Sequence, residues 1–218
     1  MSLFRLDASI LPATSASRAL GDLVEAEWTA AHPTSSVVRR DLSIEPVPAT
    51  AWRDAVQGGF LPEDERTDEQ RAALALANTF ADELRGAEAL LFTVPLYNYG
   101  VSQHFKTWFD LAYTVPGIDP QGTDLRGKPA TLVTVLGGNY AEGTPKEGWD
   151  HSTAWLRRVL EDVWGLNLRI VHRPFTLVGV NPALDAFAEP AAELKRAAEA
   201  EAVRSGRELA ELRRPRVA

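Results

Sequence analysis

Three short stretches of this 218-residue chain carry residue types that could hold a ligand. The first runs from Ala8 to Ser17 and contains Ser9, Thr14, Ser15 and Ser17, just ahead of a segment with helical spacing. A helix N-terminus presents unpaired backbone N–H groups and the positive end of the helix dipole, so it favours an anion such as a phosphate. Hydroxyls add donors there without adding charge. The same residues also suit plain helix capping, with Ser17 as the N-cap. The loop lacks both GxGxxG and GxxxxGK[ST], which argues against a dinucleotide Rossmann site or a P-loop. The second stretch is Pro95-Leu96-Tyr97-Asn98-Tyr99-Gly100. Two aromatics flanking an Asn can lie along a flat heteroaromatic ring, with Asn98 offering a donor and an acceptor. The plainer alternative is a strand-to-helix turn with exposed tyrosines. The third is Leu136-Gly137-Gly138-Asn139-Tyr140. Its two glycines permit close approach of backbone to a ligand, or simply a tight turn.

Other chemistries find little support. The chain has no cysteine, which excludes a disulfide scaffold, a Cys-ligated metal and thiol catalysis. Its four histidines, at 32, 104, 151 and 172, show no metal-ligand spacing. His104 follows the second loop and is a candidate proton donor, against the simpler reading of a packed or solvent-facing side chain.

The elements that would position these loops alternate along the chain. Strands are expected at 3–7, 35–42, 89–94, 130–136 and 168–178, the last interrupted near Pro174. The spacing predicts helices over 17–31, from a capping box at Thr67 to Gly86, over 102–113, over 152–164 and over 183–212. Residues 43–66 read as loop or a short helical excursion, and 114–129 and 139–151 as loops. Strands alternating with helices imply an α/β fold, a five-stranded parallel sheet with helices on both faces. Residues 89–94 and 130–136 are apolar almost throughout, as strands covered on both sides must be. In such a sheet ligands bind beyond the carboxyl ends of the strands, where the three stretches fall.

Composition sets the outer bounds. Lys and Arg sum to 23, Asp and Glu to 30, and the net charge of −7 argues against general nucleic-acid binding. No run approaches the roughly 18 apolar residues of a membrane span, and the N-terminal residues lack an apolar signal region. The expectation is a cytoplasmic protein forming one domain over 1–218.

Taken together, SILPATSAS (9–17), PLYNYGVSQHFKTWFD (95–110) and LVTVLGGNY (132–140) resemble the FMN-dependent NADH-azoreductase family, close to the flavodoxin-like NAD(P)H:quinone oxidoreductases. RDLSIEPVP (40–48) adds to the likeness. The resemblance covers most of the chain up to about residue 170. It implies that Ser9, Ser15, Ser17 and the Ala16 amide hold an FMN phosphate. Leu96, Tyr97, Asn98 and Tyr99 would line the isoalloxazine, and Gly137 and Gly138 would approach its pyrimidine edge. It also implies a homodimer. NAD(P)H would be the reductant and a quinone or azo compound the small-molecule electron acceptor, the two using one pocket in ping-pong order. The flavin, not a catalytic side chain, would carry the redox chemistry.

The chain departs from the family pattern in having Leu136 where Arg commonly precedes the glycines, His104 where Leu is usual, and a shorter 113–128 loop. A specialised reductase of one biosynthetic intermediate is therefore an alternative. So is a flavodoxin-like electron carrier without a substrate of its own, although the 43–66 and 114–129 insertions favour a substrate pocket.

Overall fold

The computed structural model describes residues 1–211. In chain order, β1 (Ser2–Asp7) leads through a 3-10 turn to α1 (Ala16–Ala31), then β2 (Ser36–Asp41), α2 (Ala51–Gly59), α3 (Asp68–Gly86) and β3 (Ala89–Thr93). A small hairpin follows, β4 (Leu96–Tyr97) with β5 (Gly100–Val101), then α4 (Gln103–Ala112) and β6 (Pro129–Val135). The chain continues through α5 (Thr153–Arg157), β7 (Asn167–Arg173) and α6 (Ala188–Glu211). The main sheet has the order β2-β1-β3-β6-β7, with every neighbouring pair parallel. This is the expected five-stranded parallel sheet.

Alternate residues of each strand feed opposite cores. Leu3, Leu91, Val133 and Val171 pack beneath α1 and α6, against Leu20, Val24, Trp28, Ala198 and Ala202. Phe4, Leu6, Leu90, Phe92 and Leu132 face the other way, toward α2, α3, α4 and α5. All five residues of β3 and all seven of β6 are buried, which their apolar runs require. On the second face Trp108 of α4 is the hub. Its ring lies 6.3 Å from Phe4, 6.1 Å from Phe80 and Phe92, and 5.5 Å from Phe105. Through it α4 is clamped to the sheet, and with α4 the loop that precedes it.

Several sequence expectations need correction. Ser15, not Ser17, caps α1: its Oγ accepts from the Arg18 N–H, and Ser17 is the second residue of the helix, fully buried. The last strand ends at Arg173 and not near 178. Pro174 has no N–H for the ladder, and Phe175 turns the chain with φ of +58°. Residues 43–66, by contrast, hold the short helical excursion that is one of the two sequence readings, as the nine-residue α2 and a 3-10 turn at Glu63–Glu65. The last helix starts at Ala188, after a 3-10 turn over Pro182–Phe187, and its expected final residue, 212, lies outside the described residues. The helix expected over 152–164 begins at Thr153 and widens into π-helical turns from Arg158 to Val163.

Because Trp108 contacts five other buried rings, Phe4, Phe80, Phe92, Phe105 and Trp164, Trp108→Ala should lower unfolding stability by about 3–5 kcal/mol. Urea denaturation of both proteins checks this. A loss below ~1 kcal/mol would mean that the aromatic cluster does not hold α4 in place.

Candidate active site

The carboxyl ends of β1 and β3 are tied together below the surface. Arg5 and Asp7 are both buried on β1. The Arg5 Nε donates to Asp7 Oδ2 at 3.1 Å, and its Nη1 donates to Asp22 Oδ1 at 2.6 Å. Thr93 Oγ1 of β3 donates to Asp7 Oδ1 at 2.7 Å. Burial works against the Arg5 charge, yet Asp7 and Asp22 outweigh it, and its pKa is raised. The third Arg5 nitrogen, Nη2, donates to the Arg18 carbonyl at 3.3 Å, which pins the first turn of α1 to the sheet.

That first turn is built to receive an anion. It holds no acidic residue. Ala16 and Ser17 occupy its first positions, where an α-helix has no partner for the backbone N–H. Ser15 Oγ and Ser17 Oγ lie 3.0 Å apart at this end. Ser9 is buried; its hydroxyl accepts from the Leu11 N–H and lies 3.2 Å from the Tyr97 hydroxyl. Tyr97 Oη also accepts from the Ile10 N–H at 3.2 Å. The first and second stretches are thus stitched together through one phenol. Ser102 adds a second stitch, its Oγ donating to the Ala8 carbonyl at 2.9 Å.

The second stretch is a hairpin, not the simple turn considered from sequence. Asn98 and Tyr99 form its tip with φ of +48° and +65°, the signs a type I′ turn demands at both central positions. Asn tolerates that region, whereas Tyr rarely enters it, so Tyr99 is held there by its surroundings. The Tyr99 carbonyl accepts from the His151 N–H at 3.0 Å. Its ring meets Trp149 edge-on at 5.3 Å and Tyr140 at 6.3 Å.

The third stretch is paired with the chain after β7. Phe175 N–H donates to the Gly138 carbonyl at 3.0 Å, and Leu177 N–H to that of Gly137 at 3.1 Å. A Cβ at Gly137 would come within 2.7 Å of Leu177 Cδ1. The room at Gly137 is therefore filled by Leu177. At Gly138 the nearest group is the Tyr140 ring, at ordinary contact distance.

Between the hairpin, the glycines and residues 175–190 lies a cavity of about 720 Å³. Leu96, Tyr97, Asn98, Tyr99, Gly137 and Gly138, all singled out from sequence, line it. Ser9, Ser15, Ala16 and Ser17 do not: Ser9 follows β1 and touches the Tyr97 phenol, and Ser15, Ala16 and Ser17 stand at the α1 terminus. Sequence reasoning missed Phe175, Leu177 and Phe187 on the opposite wall, and Lys146 at the rim. Phe175 and Phe187 stack at 5.2 Å. The one available signal was Pro174, which ends the strand and sends Phe175 and Leu177 back over the glycines. His104 is not on the cavity wall, and its Nδ1 is buried without a hydrogen-bond partner. Among the described residues no group of His, Asp and Glu could hold a metal ion.

The residues fit a phosphorylated, flat cofactor. The open N–H groups and hydroxyls of α1 suit a phosphate, and the cavity volume suits a three-ring system. Sheet order and a site at the strand ends define a flavodoxin-like α/β protein, and the family described as having a flavodoxin-like fold matches residues 1–201. An FMN-dependent NADH:quinone oxidoreductase of Parafrankia sp. (strain EAN1pec) is 35% identical over 191 residues, covering 86% of this chain and 90% of that protein. One from Streptomyces avermitilis is 35% identical over 213 residues, 96% of this chain and 97% of that protein. The crystal structure of an azoreductase from Bacillus anthracis str. Sterne has the same fold, with a TM-score of 0.77 at 22% identity over 95% of this chain and 99% of that one. The chain belongs to the flavodoxin-like family of the FMN-dependent NADH:quinone oxidoreductases.

Arg18, next to the anion-receiving turn, holds Asp41 at the end of β2 through two bonds of 2.5 and 2.6 Å. Burial raises the Asp41 pKa, but Arg18 and the Ser43 N–H and hydroxyl outweigh it, so the carboxyl stays below its ordinary value. A depressed carboxylate pKa stabilises the fold above the unfolded value, near 4, and that stability is lost as pH falls through the folded value. Asp41→Asn should therefore be less stable than the parent at pH 7, with the gap narrowing as pH falls below about 4. Thermal melts across that range check this; a gap independent of pH would contradict it. Separately, Gly137→Ala should cost about 1–3 kcal/mol by overpacking, and Leu177→Ala in the same chain should recover part of it. Chemical denaturation of the single and double variants distinguishes this from a glycine needed only for its backbone freedom.

Proposed function

We propose that this protein is an FMN-dependent NAD(P)H oxidoreductase that reduces quinone or azo-type acceptors. The observation that carries the reading is the juxtaposition, through Tyr97, of an acid-free helix terminus and a cavity lined by flat side chains. The two oxidoreductase relatives, each covering most of this chain, support the same activity. Bound FMN would supply two-electron chemistry at its ring. Overall, NAD(P)H, a proton and a quinone give NAD(P)⁺ and a hydroquinone.

The chain's own residues bind and orient. Ser15, Ser17 and the Ala16 N–H hold the phosphate, with Ser9 and Tyr97 bracing the loop around it. Asn98 presents a donor and an acceptor to the ring edge, and the neighbouring amides fix the plane. Leu96, Tyr97 and Tyr99 give flat contact, and Phe175 and Leu177 exclude water from the opposite side. With one cavity of this size, reductant and acceptor occupy it in turn.

A second copy of the chain is part of the proposal. Trp52 and Val56 on α2 and Phe60 at its C-terminal cap recur every four residues, and they are 50, 37 and 84% exposed. Ile44 stands nearby in sequence and is exposed as well. A stripe of this kind on a chain of net charge −7 suits burial against another copy. Among the described residues no helix is long and apolar enough to cross a membrane. The cytoplasm, with its nicotinamide pool, is the proposed compartment.

Replacing both hydroxyls at the α1 terminus, Ser15→Ala with Ser17→Ala, should weaken FMN binding at least tenfold, since each would give a hydrogen bond to a charged group. Flavin fluorescence quenching measures it, and unchanged affinity would remove the phosphate from this turn. For the second copy, Phe60→Asp should convert a dimer to a monomer in light scattering. A parent protein that is already monomeric, or a variant that stays dimeric, would contradict the α2 interface.

A further inference from the structure

The cavity has two unlike walls. Phe175, Leu177, Leu184, Phe187 and Pro190 make one side apolar. At the other side, on the rim, stands Lys146, the charged residue among those that line it. Its Nζ lies 5.5 Å from the centre of the Tyr99 ring and 5.8 Å from that of Trp149. Two aromatic faces at this range attract the ammonium and restrict where it points. Among the described residues Lys146 makes no salt bridge, whereas Lys106 and Lys195 are each paired to an acid four residues on. The nearest acid in sequence, Glu147, is turned away: its Oε2 accepts from the Gly143 N–H at 2.8 Å. The loop is folded so that Lys146 reaches the mouth, with the Trp149 N–H on the Lys146 carbonyl at 3.2 Å and the Glu147 N–H on that of Thr144 at 3.0 Å.

Building on the proposed function, we infer that Lys146 is a specificity residue: it separates flat aromatic acceptors of one shape by the charge of a ring substituent, drawing in an anionic one over its neutral counterpart. The argument is one of charge and shape. The chain carries a net charge of −7, so a cation at the mouth that makes no salt bridge offers an approaching anion a local attraction there. The apolar wall takes the aromatic body, and the polar substituent remains at the rim beside Lys146. The ammonium, being exposed, contributes through a screened contact, so the effect is selective and modest in size.

The test uses the FMN-loaded enzyme with a matched pair, azobenzene-4-carboxylate and azobenzene-4-carboxamide. With Lys146→Gln, kcat/KM for the carboxylate should fall about three- to sixfold at low salt, by an increase in KM, while that for the amide changes less than twofold. Lys146→Glu should widen the gap to about tenfold, and added salt should shrink the parent's preference. Isothermal titration calorimetry of the two compounds should show the same order in Kd without any turnover. Equal changes for both compounds, no change for either, or a change confined to the KM for NADH would overturn the assignment. If the parent enzyme reduces neither compound, the proposed reaction fails; the calorimetric comparison then still decides whether Lys146 selects an anion.

Discussion

Burial of both faces of a five-stranded parallel sheet is the constraint from which the rest of this structure follows. With helices on each side, β3 and β6 have no exposed residue to offer a ligand. Binding is left to the loops beyond the strand ends. Parallel pairing puts the ends of β1, β3, β6 and β7 at one edge, so loops distant in sequence meet there. The Arg5–Asp7–Thr93 network then fixes how the first two of these ends sit against each other, and it fastens α1 over them. Breaking it would leave a buried charge without its partner, so the arrangement is held firmly once formed.

Two features turn that edge into a site. One is electrostatic: a helix terminus with open N–H groups, two hydroxyls and no acid. The other is steric: a cavity whose floor is a hairpin tip in left-handed conformation and whose opposite wall is the segment after β7. The Tyr97 phenol joins them, since it lines the cavity and also touches Ser9 and the Ile10 N–H. A ligand that fills both parts must have a phosphate at one end and a flat ring system at the other. That description selects a flavin mononucleotide over a free nucleoside or a dinucleotide held by a glycine-rich fingerprint.

Much of this was legible in the residues. The continuous apolar runs at 89–94 and 130–136 pointed to central strands, and the capping box at Thr67 opens α3 as expected. The six cavity residues taken from the second and third stretches do meet in space. The rest depended on tertiary detail that local sequence does not carry. Ser15 and Ser17 are both hydroxyl residues two positions apart, and only the backbone turn decides which one caps. Phe175 and Leu177 continue the apolar pattern of β7, so nothing local to them says that they fold back over Gly137 and Gly138. Lys146 lies in a loop of turns, and its position over two rings is set by Tyr99 and Trp149, fifty residues apart in sequence.

The central claim is that the α1 terminus holds a phosphate while the cavity holds a flat ring. The most direct measurement is a visible absorption spectrum of the protein after incubation with FMN or with riboflavin, each followed by desalting. The account predicts stoichiometric retention of FMN with a perturbed flavin band, and loss of most riboflavin, which has the ring without the phosphate. Equal retention of both would contradict the phosphate site, and retention of neither by the folded protein would contradict the flavin assignment itself.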